Sequence, residues 1–259
     1  MKIFQRIKLI LFHVFKSRNT FGFGVHSPFL FHFTKFVLNE RHHYYDFGKI
    51  EHLRKFLESK NELVPAQDFG TGQQQNQTIA NIVHYSLSSQ KTSRLLYRII
   101  STYKFVNVLE LGTSLGINTA YLASASSQVK CVTIEGNKHL AKLADSHLKY
   151  LGILNTTIVS ENIDDCLSQV LQKFDTLDLV FFDANHRSTP LINYFNQCVS
   201  KINKNSIFVV DDVYWSDDMH YGWNLIKKHP AVSSSICTQR FGLLFFNNDL
   251  AKNHFHMIF

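Results

Sequence analysis

Two groups of polar residues have the types and spacing for chemistry. The first is Glu110-Leu111-Gly112-Thr113-Ser114-Leu115-Gly116, with Glu135 a little further on. Glycines at Gly112 and Gly116 let a loop bring backbone N–H groups to one point and let a ligand approach the main chain. A carboxylate such as Glu135 at a strand tip accepts hydrogen bonds from both hydroxyls of a ribose. Asn162 offers a donor and an acceptor to a base edge. The second group is Asp183-Ala184-Asn185-His186-Arg187 with Asp211-Asp212-Val213-Tyr214-Trp215. Three convergent carboxylates repel one another. They are tolerable if a divalent ion such as Mg or Ca sits between Asp183, Asp211 and Asp212, or if one stays protonated. His186 has the right basicity to remove a proton near neutral pH, and Asp183 or Asp212 can do the same.

These residues need strands that end at a common edge. Val108 to Leu111 is an apolar run of strand character, and Ile117 to Ala125 reads as a helix. Lys130 to Glu135 reads as the next strand, so residues 106–135 form one βαβ unit. Helices are expected at 138–151, 164–173, 189–202 and 217–228, and strands at 156–160, 178–183 and 206–211. The last two strands, Val232 to Thr238 and Gly242 to Phe246, are joined by too few residues for a crossover helix and must be antiparallel neighbours. The pattern predicts an α/β fold, with Glu110, Glu135, Asp183 and Asp211 each at the carboxyl end of its strand. The spacing G-x-x-x-G departs from the G-x-G-x-x-G of nicotinamide-binding folds, which disfavours an oxidoreductase.

On these residues the sequence resembles the class I methyltransferases that use S-adenosylmethionine. Glu110-x-Gly112-x-x-x-Gly116 is similar to their first motif and Glu135 to their second. The resemblance implies a Rossmann-like sheet of seven strands with helices on both faces. It implies cofactor contacts from Glu110, Gly112, Thr113, Gly116, Glu135, Asn162 and Asp183. Asp183-Ala184-Asn185 and Asp211-Asp212 resemble the signatures of catechol-type, metal-dependent O-methyltransferases. Those enzymes take one metal ligand after strand four and two after strand five. Here Asp212 stands where that family has Asn, and Arg187 lies near, not at, the place of its lysine. The resemblance implies an O-methyltransferase with Asp183, His186 and Asp212 as catalytic residues.

Composition narrows the partners. Hydrophobic residues make up 45% and charged residues 18%, which is globular. The net charge of +7 is confined to residues 1–60, with 11 Lys+Arg against 4 Asp+Glu; residues 61–259 hold 16 of each. A neutral catalytic part points away from nucleic acid, and the resemblance implies a small-molecule acceptor. Four scattered cysteines, Cys131, Cys166, Cys198 and Cys237, fit a reducing cytoplasm and no disulfide scaffold.

Residues 1–104 are expected to be a mostly helical region docked on the S-adenosylmethionine-binding domain, 105–259. Residues 2–18 read as a basic amphipathic helix. It either packs on its own domain, pairs with a second copy in a homodimer, or lies on an anionic membrane surface at the inner face. Phe21 to Phe31 is turn-rich and aromatic, a lid or an anchored loop, with His26 a packing or catalytic residue. Helices are expected from Phe31 to Asn39 and over 49–59, 78–86 and 92–103. Asp68 to Gln77 reads as a polar surface loop. A non-catalytic cofactor-binding module and a nucleic-acid methyltransferase are the rival readings.

Overall fold

Strand runs without polar alternation belong to strands covered on both faces. They form the centre of the computed structural model, which describes residues 11–17, 19–66 and 76–259. In chain order, a helical turn over 11–16 precedes helix α1 (Pro28–Phe33), which continues as a π-helical stretch (Thr34–Leu38). Helix α2 (Tyr45–Glu58), strands β1 (Leu63–Val64) and β2 (Gln77–Thr78), and helices α3 (Ile79–Tyr85) and α4 (Gln90–Tyr103) follow. The alternating part then runs β3 (Asn107–Leu111), α5 (Ile117–Ser124), β4 (Lys130–Ile134), α6 (Lys138–Tyr150), β5 (Thr156–Val159) and α7 (Ile163–Leu171). It continues as β6 (Leu177–Phe182), α8 (Ser188–Cys198), β7 (Ile202–Val210), α9 (Asp217–Ile226), β8 (Ser234–Cys237), β9 (Gly242–Phe245) and β10 (Asn253–His256). The main sheet has eight strands and is mostly parallel. The chain forms two compact units, His42–Cys166 and Met1–Arg41 with Leu167–Phe259.

In the unit His42–Cys166, β3, β4 and β5 are parallel, with Glu110 opposite Thr133 in the register. Helices α2, α3 and α4 dock on α5 through one core that includes Phe47, Ile50, Leu53, Ile82, Tyr97, Ile117 and Tyr121. Within this unit the helices ahead of the first βαβ unit are therefore packed on it. Buried polar groups tie it down: Tyr121 donates to Glu51 at 2.6 Å, and Arg54 pairs with Glu51 at 3.2 Å.

In the other unit, β6 and β7 are parallel, β7–β9 and β9–β8 are antiparallel, and β10 lies parallel to β8. The expected terminal hairpin is present. Strand β10 is an addition: its sequence, Asn253-His254-Phe255-His256, has no β-branched residue, and pairing to β8 makes it a strand. The sheet thus has eight strands where seven were expected. Strand β7 starts at Ile202, not Ser206. Asn203 is held there by Ser206 Oγ on its N–H at 2.8 Å and by its own amide on Asp178 at 3.0 Å. The helix expected to begin at Phe31 begins at Pro28, because Ser27 caps it by accepting the Leu30 N–H and proline occupies its first position. Val25, Leu30 and Phe33 are buried and the Phe29 and Phe33 rings meet Phe245, so the segment is anchored from Val25 onward, while Phe21 and Phe23 are exposed. His26 is exposed. Residues 2–10 and 18 of the basic segment and 68–75 of the polar loop lie outside the described residues.

Candidate active site

The glycine loop follows β3 and turns the chain into α5. Gly112 has φ 104° and Gly116 φ 79°, both in the left-handed region that glycine adopts without a Cβ penalty. Gly116 also meets α6 closely: a Cβ there would lie 3.1 Å from the Ala144 Cβ. Ser114 holds φ 50° without being glycine. What holds it is Glu135, whose Oε2 accepts the Ser114 N–H at 2.7 Å and whose Oε1 accepts the Asn137 N–H at 2.9 Å. His147 Nδ1 contacts the Leu115 carbonyl at 2.9 Å. Burial pushes the Glu135 carboxyl above its ordinary value, and backbone N–H groups of Asn137, Ser114 and Thr113 pull it back. Glu135 remains partly exposed. It accepts the loop's amides and still has lone pairs for other donors.

Glu110 is fully buried on β3. Its Oε2 accepts hydroxyls from Thr119 at 2.5 Å and Thr133 at 2.7 Å. Thr113 lies 2.6 Å from Thr133; since the Thr133 proton is on Glu110, Thr113 donates. Glu110 Oε1 has no hydrogen-bond partner among the described residues. Burial pushes this carboxyl up to about 8; the hydroxyls of Thr119 and Thr133 lower it and the Glu135 charge raises it. Thr119 and Thr133 were not singled out from the sequence. The signal was there, since Thr133 pairs with Glu110 across adjacent strands and Thr119 lies on the helix that follows the loop. Asn162 caps α7: its side-chain oxygen accepts the Asp164 N–H at 3.2 Å.

The second group belongs to the other unit. Asp183 directly follows β6 and Asp211 directly follows β7. Asp211 is buried, and Arg240 grips it, Nε on Oδ1 at 3.3 Å and Nη2 on Oδ2 at 3.4 Å. Asp211 Oδ1 also accepts the Asp212 N–H at 2.9 Å, which fits the left-handed φ of 51° at Asp212. Burial lowers the Arg240 guanidinium, while Asp211, Asp212 and Asp183 together hold it above its ordinary value. All three acids therefore act on one arginine, a residue the sequence did not single out. It sits in the turn between β8 and β9, whose backbone is tied to Val213 by the Arg240 carbonyl at 2.9 Å.

The His186 ring packs at 5.4 Å from Trp215. Asn185, with φ 48°, donates to Tyr194 at 2.8 Å. Arg187 is exposed. Asp218 accepts both the N–H and the hydroxyl of Ser188, at 2.7 and 2.6 Å, and so fixes the start of α8 after the Asp183–Arg187 loop.

Residues 109–213 match the family model of a methyltransferase domain. No curated protein sequence matches the chain. Several solved structures share the fold. One is the O-methyltransferase TomG from Streptomyces achromogenes, involved in tomaymycin synthesis and solved with S-adenosylmethionine. It is 21% identical with a TM-score of 0.57, over 63% of this chain and 82% of that one. Another is an O-methyltransferase from Bacillus cereus in complex with S-adenosylhomocysteine, 16% identical with a TM-score of 0.56, over 83% and 96%. A third is the methyltransferase PaMTH1 of Podospora anserina, 12% identical with a TM-score of 0.56, over 80% and 99%. Residues 109–213 thus match a methyltransferase domain, and the chain shares its α/β fold with solved methyltransferase structures.

Proposed function

We propose that the protein methylates a hydroxyl oxygen of a small-molecule acceptor, with S-adenosylmethionine as the donor. The observation that carries this reading is the cradle of Glu110, Gly112, Gly116 and Glu135 inside a matched methyltransferase domain. The cradle suits the cofactor: Gly112 holds a left-handed φ that carries no Cβ, Glu135 keeps accepting capacity for ribose hydroxyls, and Glu110 Oε1 is a buried polar atom with no partner among the described residues. Thr113 completes the loop, and Asn162 serves the adenine. When bound, the cofactor supplies a methyl group already activated on a sulfonium. The chain's own task is to align the acceptor oxygen and remove its proton. His186 is the base, with Asp183 and Asp212 the other groups able to take the proton.

A divalent ion among Asp183, Asp211 and Asp212 does not fit this donor set. Asp211 spends both oxygens on Arg240 and the Asp212 N–H, and the guanidinium already provides the compensating charge. No step is assigned to Mg or Ca. Calorimetry with S-adenosylhomocysteine and with NAD, then transfer of labelled methyl to a small-molecule extract and to total RNA, tests the reading. Binding of the first ligand alone and label in the small-molecule fraction are expected. NAD binding, or label in RNA only, refutes it.

A second role is favoured by the exposed rings near the basic segment. Phe15 is 87% and Phe23 83% exposed, and Lys16 lies 4.3 Å over the Phe12 ring. Rings flanked by lysines suit an anionic membrane surface, and among the described residues no helix is long and apolar enough to cross one. Co-sedimentation with vesicles containing phosphatidylserine, lost in Phe15→Ser with Phe23→Ser, is expected. Equal sedimentation of that variant removes the membrane from the reading.

A further inference from the structure

The turn over 11–16, the turn after β7, the end of β8 and the end of β10 bring four metal-capable side chains together. His256 is the register partner of Cys237 on adjacent parallel strands, so the two side chains stand on one face. His13 reaches them from the N-terminal turn, its Nδ1 3.3 Å from His256 Nδ1. The Tyr214 hydroxyl is 3.0 Å from His13 Nδ1 and 3.6 Å from Cys237 Sγ. His13, Cys237 and Tyr214 are buried, and the ligand atoms of His13, Cys237 and His256 all lie within 4.8 Å of one another.

The hydrogen bonding of this cluster is overcrowded. His13 Nε2 contacts the Met257 carbonyl at 3.0 Å, and a carbonyl only accepts, so Nε2 carries the proton. Neutral His13 then has a single lone pair, on Nδ1. Two groups converge on it, the Tyr214 hydroxyl and His256 Nδ1. A cation at the centre removes the competition, because each group then points a lone pair inward. The sizes agree. With zinc–nitrogen bonds of about 2.0–2.1 Å and a zinc–sulfur bond of about 2.3 Å, a tetrahedral site has N···N edges of about 3.3 Å and N···S or O···S edges of about 3.5 Å. The observed N···N and O···S separations are 3.3 and 3.6 Å.

We propose that His13 Nδ1, Cys237 Sγ and His256 Nδ1 bind a zinc ion, with the Tyr214 oxygen in the fourth position. The site is closed by four protein ligands with no position left open, which makes it structural. It staples the N-terminal turn to β8 and β10. The Met257 carbonyl holds the His13 ring in the tautomer that ligation requires, as outer partners of metal-bound histidines do. Burial holds the Cys237 thiol above its ordinary value, with Lys227 offsetting part of that shift, so on binding the metal displaces the thiol proton to solvent and the sulfur bonds as thiolate.

The test uses the full chain, stripped of metal and titrated with cobalt(II), then with zinc. Wild type is expected to show one equivalent of tetrahedral cobalt with a thiolate charge-transfer band, displaced by zinc, and a higher Tm with zinc. Cys237→Ser should lose the band while its far-ultraviolet dichroism stays native. His254→Gln should keep it, because His254 is engaged with Ser235 at 2.8 Å. Should Cys237→Ser fail to fold, His256→Gln serves, with a loss of cobalt affinity of at least about tenfold. A folded wild type without the band overturns the proposal, as does an unchanged band in folded Cys237→Ser or unchanged affinity in His256→Gln.

Discussion

Replacing Glu110 by Gln should change how stability depends on pH. In the folded protein, burial lifts the Glu110 carboxyl from its ordinary 4.5 to about 8. A raised folded pKa means that the native state holds a proton the unfolded chain has released. The stability this proton represents is fully present below about pH 4.5 and is lost as pH rises toward about pH 8. At roughly 1.4 kcal/mol per pKa unit, the loss between about pH 5 and pH 8 is on the order of 3 kcal/mol. Glutamine keeps a carbonyl for the Thr119 and Thr133 hydroxyls and has no proton to lose. Urea unfolding of the cofactor-free protein, followed by circular dichroism from about pH 5 to pH 8, should show wild type falling by this amount and Glu110→Gln falling much less. Some slope remains in the variant, because Glu135 is shifted in the same direction. A wild-type stability that rises over this range, or an equal slope in both proteins, would show that Glu110 is not held protonated by burial.

Further outcomes follow from the same geometry. Gly116→Ala places a Cβ at a left-handed φ of 79° and 3.1 Å from Ala144. It should cost about 1–2 kcal/mol of stability by denaturant melt and weaken S-adenosylhomocysteine binding by calorimetry; unchanged values would mean that the loop relaxes freely. Arg240→Ala leaves Asp211 buried without its counter-charge. About 3 kcal/mol should be lost, the low end for a broken buried pair because Arg240 is 33% exposed; a variant as stable as wild type would show that Asp211 does not depend on it. His186→Gln should lower turnover by about 10²–10⁴-fold with S-adenosylhomocysteine affinity kept, and full turnover would remove His186 from the chemistry. Addition of Mg or Ca to desalted enzyme should leave turnover unchanged, and an increase would restore a divalent ion to the Asp183 and Asp212 side.

The glycine loop and the βαβ unit around it could be read from the chain because their determinants are local. An apolar run, two glycines and a helical period lie within thirty residues, and backbone sterics translate them directly into a strand, a turn and a helix. The β8–β9 hairpin was readable for a similar reason: the connection is too short for any other pairing. The identity of the counter-charge was not. Arg240 meets Asp211 from a turn 29 residues away, and no spacing rule singles out one arginine in a turn. Strand β10 carries no strand-forming residues beyond Phe255 and owes its conformation to the free edge of β8. His13 reaches Tyr214 across 201 positions. Such contacts depend on register and on which helix turn lands on which strand end, and those are settled only when the packed core excludes the alternatives.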